Sequence, residues 1–248
     1  MNIIDTHTHL PGTLWAPSPR PIAEVRQELE AAGVCRAWIC TTDGLVANPR
    51  GNNDVLADTI AEHRDFFVPF CTVGPYEGVD TALSELDRAK NELGMRGLKL
   101  HPWLQAFSMT DPAVVPILER SAALGLPVLF HDGTPPYCTP LQIAAAAEKV
   151  PQATVVLGHS GLDDLTEDAI LACLRHPNIY LSLTSLSSGR MAQVIDRCPT
   201  DRLLYGSDGG VCPHLARAGI QKLTATGAAD EVLQKIFFDN PSRLLPPT

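Results

Sequence analysis

Short apolar runs rich in Val, Ile and Leu recur along the whole chain, separated by stretches whose apolar residues return every three or four positions. The runs at 2–7, 35–41, 66–73, 96–100, 127–131, 154–158, 178–183 and 202–206 have the length and composition of buried strands. Between them the period is helical. PIAEVRQELEAAG sets Ile22, Val25 and Leu29 on one face and ends at Gly33, and VDTALSELDRAKNELG does the same with Leu83, Leu86, Ala89 and Leu93 before Gly94. DPAVVPILERSAALG begins at Asp111, has a proline next and stops at Gly125, which is the punctuation expected of a capped helix. Further helices are predicted over 139–149, 165–175, 189–198 and 229–238. Strict alternation implies right-handed parallel crossovers, and a count of eight strands implies closure into an α/β fold of the (β/α)8 TIM-barrel type. A doubly wound open sheet is the competing topology. It would place a glycine-rich phosphate turn after the first strand, where this chain has HTHLPGTLW.

Composition is consistent with one such domain over residues 1–248. The chain has 248 residues, 45% hydrophobic and 19% charged, and a closed barrel takes about 250 residues. The net charge of -9 and the absence of a Lys/Arg block make a nucleic-acid backbone a poor partner. The seven cysteines (35, 40, 71, 138, 173, 198 and 212) form no C-x-x-C pair, which points to reduced thiols and a cytoplasmic location. Cys40, Cys71 and Cys173 sit in apolar stretches and are expected in the core. The strand-like NIID at the start leaves no room for a signal peptide, and no run approaches the about 20 apolar residues of a membrane span.

The chemistry is concentrated where the apolar runs end. His7 and His9, Lys99 and His101, His131, His159, and Asp208 all fall where a strand would leave the core for a loop. A single strand-end histidine is most simply a hydrogen-bonded core residue, but several at one structural position are not accounted for in that way. In a parallel barrel these positions converge on the C-terminal mouth, where barrel active sites lie. Alternation places His7 with His9, and Lys99 with His101, on the inner face, with Asp5 two residues below His7. Nitrogen and oxygen ligands on rigid strands, with one position left for water, are the requirements of a metal-activated hydroxide, and Asp208 is the natural carboxylate to take its proton. Trp15, Trp103, Tyr137 and His214 lie in loops after the first, fourth, fifth and eighth strands and are candidates for lining a substrate pocket. Asn240 and Arg243 are expected to lock the C-terminal segment onto the barrel, and His63 and His176 to sit near helix C-terminal ends.

The ordered set IDTHTHL, GLKLHP, VLFHDG, LGHSG, YGSD and NPSRLL, covering almost the whole chain, resembles the amidohydrolase superfamily. More narrowly it is similar to the amidohydrolase-related TIM-barrel branch, which includes metal-dependent hydrolases and aminocarboxymuconate-semialdehyde-type decarboxylases. The resemblance implies one divalent metal, expected to be zinc, bound by His7, His9, His131 and Asp208. Asp208 and His159 would be the catalytic pair, His159 bonding the activated water or a substrate oxygen. Lys99 matches the strand that carries a carboxylated lysine in binuclear relatives. With a single metal, Lys99 and His101 would instead contact an anionic substrate group, with Trp103 and Tyr137 beside them.

The leading expectation is a metal-dependent hydrolase of a small amide, ester or lactone. The same ligands would serve a non-oxidative decarboxylase of an unsaturated or aromatic carboxylic acid. That reaction calls for cations to grip a carboxylate, and only Arg20 and Lys99 are placed near the mouth, which favours hydrolysis. A metal-free lactonase would keep full activity in chelator. A TatD-like nuclease would carry a glutamate at position 99, and a non-catalytic barrel would have lost a ligand. The partner is expected to be a small molecule, with a homodimer as the default assembly.

Overall fold

Eight parallel strands, each bonded to the next in chain order, wrap around an apolar axis in a computed structural model that describes residues 2–14 and 20–246. The strands are β1 (Ile3–Leu10), β2 (Val34–Thr41), β3 (Phe67–Cys71), β4 (Gly97–Leu100), β5 (Val128–Phe130), β6 (Val155–Leu157), β7 (Ile179–Ser182) and β8 (Leu203–Leu204). The seam between first and last closes through Thr6 N–H to Tyr205 O, Asp208 N–H to His7 O, and His9 N–H to Gly209 O. The fold is a (β/α)8 TIM barrel.

Helices α1 (Ile22–Ala31), α2 (Pro49–Thr59), α3 (Val79–Asn91), α4 (Val114–Ala123), α5 (Pro140–Ala147), α6 (Thr166–Arg175), α7 (Ser188–Arg197) and α8 (Leu215–Thr224) follow the strands in turn. Their local signals are mostly plain. Thr139 and Gln142 form a reciprocal capping box on α5, with Pro140 at its first position. The chain ends with α9 (Asp230–Gln234), a π-helical turn at Lys235–Asp239 and α10 (Asn240–Leu244). As expected from the sequence, Asn240 Nδ2 donates to Thr200 O and Leu203 O, and Arg243 donates to Asp201 O, tying this segment to the base of the barrel.

Two helices escaped the periodicity. On α2 a core-facing position is held by Asn53, whose amide bonds the backbone of Thr72 and the carboxylate of Glu85, so a polar residue interrupts the apolar stripe. On α8 the interior Gly219 lies against Tyr205, where an added Cβ would come within 3.1 Å of the hydroxyl. That helix buries only Ala216 and Leu223, too few to mark a face.

The core has two layers. Ile3, Leu98, Val128, Val155 and Leu203 point outward into the shell between sheet and helices. Ile4, Trp38, Cys40, Val68, Phe70, Leu129, Val156 and Leu204 fill the barrel axis, with Leu245 closing the bottom. Cys40, Cys71 and Cys173 are buried, as expected. On β1 the inward face changes along the strand. Ile4 is in the axial cluster, whereas at the top it is His7 and His9 that face inward. The register with β2 shifts between Asp5 and Thr8, and this irregularity switches the parity.

Candidate active site

The shift on β1 delivers two imidazoles to one place. His7 Nε2 and His9 Nε2 stand 3.3 and 3.4 Å from the same oxygen, Oδ1 of Asp208. Donor atoms of these three residues all lie within 4.8 Å of one another. Asp208 reaches them from a left-handed backbone (φ 59°) just past β8, and its N–H donates to His7 O. Its second oxygen accepts from Ser185 Oγ at 3.1 Å and lies 3.7 Å from His159 Nδ1.

Supporting groups fix these side chains. His7 Nδ1 faces the Gly158 carbonyl at 3.2 Å; since that carbonyl only accepts, Nδ1 carries the hydrogen and Nε2 keeps its lone pair. Lys99 Nζ lies 2.9 Å from that Nε2 and is fully buried. Burial pulls the ammonium below the ordinary lysine range, against the opposing fields of Cys40, Asp208 and Asp132. Burial and then Lys99 hold His7 well below the usual histidine range. Cys40 Sγ touches His9 Nδ1 at 3.3 Å. Burial alone would raise the Asp208 carboxyl, but His159, His7 and His9 keep it well below the carboxylate range.

His159 is set by Asp132, whose carboxylate accepts from the backbone N–H groups of His159 at 2.6 Å and Gly161 at 2.7 Å. Burial with Lys99 and His9 outweighs Asp208 and pushes His159 down to about 4, so its ring is neutral near pH 7. His101 and His131 stack at 3.8 Å between centroids, and burial followed by Lys99 pushes His101 down to about 2. These groups open onto a cavity of about 220 Å³ whose remaining wall is Thr42, Leu45, Leu104, Val211, Cys212 and Leu215.

The structure therefore brings together His7, His9, Lys99, His101, His131, His159 and Asp208 around one cavity. His131 lines it but stands outside the tight donor cluster, with Nε2 on Thr134 Oγ1 at 2.9 Å. Trp103 and Tyr137, expected in the pocket, are not on its wall. Trp103 is 49% exposed, with its ring 6.1 Å from that of His101, and Tyr137 packs into the outer core after a turn closed by its N–H on Thr134 O. His214 caps α8 beside a different cavity, and Trp15 lies outside the described residues. Asp5, expected to support the His7 ring, instead accepts from the backbone N–H of His7 and from the N–H and hydroxyl of Ser207. Arg20, expected near the mouth, is ion-paired with Glu28 on α1. Asp132 and the apolar wall were not singled out in the sequence. The HD pair in VLFHDG is a signal for Asp132; the wall, drawn from the three separate segments that follow β2, β4 and β8, has none.

The donor set fits a divalent cation. Two imidazole nitrogens, from His7 and His9, and a carboxylate oxygen of Asp208 converge within 4.8 Å, a set of nitrogen and oxygen donors of the kind that holds a divalent cation. His159 Nδ1 is buried beside them without a hydrogen-bond partner among the described residues. The amidohydrolase family model matches residues 4–246. The chain belongs to the amidohydrolase family. Among relatives, this amidohydrolase-family chain is 27% identical over 103 residues to a 2-amino-3-carboxymuconate-6-semialdehyde decarboxylase of Dictyostelium discoideum. That match spans 39% of this chain and 28% of the relative's length. It superposes on the 5-carboxyvanillate decarboxylase of Sphingomonas paucimobilis with a TM-score of 0.76 at 16% identity, covering 100% and 99% of the two chains. It superposes on a dihydroxybenzoic acid decarboxylase from Polaromonas sp. JS666, solved with manganese and 2-nitroresorcinol, with a TM-score of 0.73 at 19% identity over 98% and 97%. At such identities these likenesses concern the fold. Among the described residues no helix is long and apolar enough to cross a membrane.

Proposed function

We propose that this amidohydrolase-family protein is a metal-dependent, non-oxidative decarboxylase of a small unsaturated or aromatic carboxylic acid. The observation that carries the reading is the charge balance of the cavity. One ammonium, Lys99, and one carboxylate, Asp208, stand among five imidazoles, so a divalent cation would leave the cavity net positive, and Leu45, Leu104, Val211 and Leu215 form most of the remaining wall. Such a pocket favours a flat apolar body with an anionic group, and a divalent cation makes it more attractive to a carboxylate. The decarboxylase names of the Dictyostelium relative and of the structural neighbours support the same choice over hydrolysis.

His7, His9 and Asp208 would hold the cation, with His131 as a fourth candidate on the same wall. When bound, the cation supplies Lewis acidity toward oxygens of the substrate. The protein's own groups do the rest. The Lys99 ammonium supplies the positive potential that draws the carboxylate in, with the neutral His101–His131 stack lining the wall beside it. Decarboxylation requires a proton at the carbon bearing the carboxylate and return of the C–C electron pair to the unsaturated system as carbon dioxide leaves. Asp208 Oδ2 and His159 Nδ1, 3.7 Å apart at the cavity wall, are the groups placed to hold and pass that proton. Leu45, Leu104, Val211 and Leu215 exclude water and so suppress competing hydrolysis.

The test is a panel of hydroxybenzoates and unsaturated acids, offered to enzyme loaded with zinc or manganese, with carbon dioxide release as the readout. Amides, esters and lactones are assayed in parallel. Release from at least one acid, lost in Asp208→Asn, is the expected result. Turnover of an amide, ester or lactone with no acid decarboxylated would return the protein to the hydrolase reading.

A further inference from the structure

At the end of the barrel opposite the mouth, three arginines gather with no acid to match them among the described residues. Arg36 is the third residue of β2 and aligns with Ile4 of β1. Arg64 and Arg96 lie just before β3 and β4, so all three stand at the N-terminal ends of consecutive strands. Arg36 and Arg64 form a shared wall of two cavities of about 270 and about 100 Å³, and Arg96 borders the smaller one. Phe238 and Ser242 of the C-terminal segment cover the larger.

Hydrogen bonding at this end is incomplete. Arg36 Nε and Nη1 are enclosed and meet no partner among the described residues, and neither does Ser242 Oγ. Arg64 and Arg96 each spend one nitrogen on a carbonyl, that of Leu93 and that of Pro246, both at 3.0 Å. The acid on the wall, Asp65, has both oxygens engaged by Arg26 at 3.0 and 2.8 Å. Burial and the nearby Arg96 both work against the charge on Arg36. A part-buried guanidinium with two enclosed, unused donors, facing other cations, is a costly arrangement for a fold to carry. It becomes favourable when an oxyanion accepts from those donors and neutralises the cluster.

We infer that the Arg36–Arg64–Arg96 cluster and Ser242 form a binding site for a phosphate-class oxyanion, separate from the cavity at the mouth. Guanidinium groups match the geometry of such an anion, Ser242 Oγ offers a further donor, and Phe238 and Ile4 bound the larger cavity with apolar surface. The anion is either free inorganic phosphate or the phosphate group of a small metabolite, and both present the same oxygens to the arginines.

The experiment is a thermal-unfolding titration of the full chain in phosphate-free buffer. The probes are inorganic phosphate, glycerol 3-phosphate, and sodium chloride at matched ionic strength. Expected is a saturable rise in Tm with either phosphate compound beyond that with chloride; a tighter midpoint for the monoester assigns the site to a metabolite, and an equal one to the free ion. Arg36→Met should abolish the rise while raising Tm in phosphate-free buffer, because it removes an unmatched enclosed charge. Arg64→Gln, at an exposed position, should move the phosphate midpoint up by about ten-fold and so carries the test even if the Arg36 variant does not fold. The inference is overturned if phosphate does no more than chloride, or if Arg64→Gln leaves the midpoint unchanged. Phosphate held at the histidine-rich mouth would give that second outcome.

Discussion

Gly97 opens β4 on the inward face two residues below Lys99, opposite Phe70 of β3. A methyl group at Gly97 would lie 2.2, 2.4 and 2.5 Å from three carbons of the Phe70 ring, where ordinary carbon contacts are about 3.5–4.0 Å. The ring must therefore retreat by more than about 1 Å, yet it stacks on Trp38 at 4.9 Å between centroids and both rings are buried in the barrel axis. Overpacking of this kind costs about 1–3 kcal/mol, and stiffening the unfolded chain by Gly→Ala offsets up to about 1 kcal/mol. Gly97→Ala should then lose about 1–2 kcal/mol net, or about 2–8 °C in Tm for a domain of this size. Phe70→Leu alone leaves a void and should cost about 1–2 kcal/mol. In the double variant the alanine methyl enters that void, so the combined loss should fall short of the sum by at least about 1 kcal/mol. Urea unfolding followed by circular dichroism on all four proteins gives the coupling. Wild-type stability for Gly97→Ala, or losses additive within about 0.5 kcal/mol, would refute the steric argument.

Three further outcomes follow from the site and its supports. One zinc or manganese per chain is expected on loading, with His9→Ala and Asp208→Asn losing it on gel filtration and His131→Ala retaining a larger share, as measured by elemental analysis; full occupancy in His9→Ala would rule out the three-donor cluster. Gly210 has φ 95° and a Cβ there would fall 1.9 Å from His9 O, so Gly210→Ala should cost at least about 1–3 kcal/mol in melts and lower metal retention by displacing the Asp208 loop. Asn240→Leu strips two 2.8 Å bonds from the carbonyls of Thr200 and Leu203 and should cost about 2–4 kcal/mol; a change below about 1 kcal/mol would mean the C-terminal segment is held by apolar packing instead.

The parts of this molecule legible in the sequence are those encoded by neighbours along the chain. A Val/Ile/Leu run ending in a histidine reads the same in sequence and in space, so seven chemical residues could be placed at one mouth before any contact was known. The apolar pattern ends the first strand at residue 7, whereas it continues to Leu10; the polar THTH stretch is held extended by β2 and by the β8 seam, which no local pattern reports. Helix α2 was missed because the group on its buried face, Asn53, is satisfied by Thr72 and Glu85 from elsewhere in the chain. Loop aromatics misled in the opposite way. Trp103 and Tyr137 follow the correct strands, but direction in a loop is set by turn geometry and by what the outer core can accept.

The hydrolase preference drawn from sequence rested on a scarcity of cations, and the structure alters both sides of that argument. Arg20 is lost to Glu28 and cannot grip a substrate at the mouth. Lys99 nevertheless stands on the cavity wall among five imidazoles and a single carboxylate, so the cavity holds a cation for an incoming anion without any arginine. Lys99 bears most on this. His7 Nε2 has one lone pair, shown here facing Lys99 Nζ at 2.9 Å, and that pair cannot serve the ammonium and a cation together. A cation held by His7 would therefore free the Lys99 ammonium within a wall where an incoming carboxylate is the natural new acceptor. On the proposed function, metal binding and anion binding would be coupled in this way through a single nitrogen on β1. A hydrolase of neutral amides gains nothing from that coupling, whereas an enzyme that must first capture a carboxylate does.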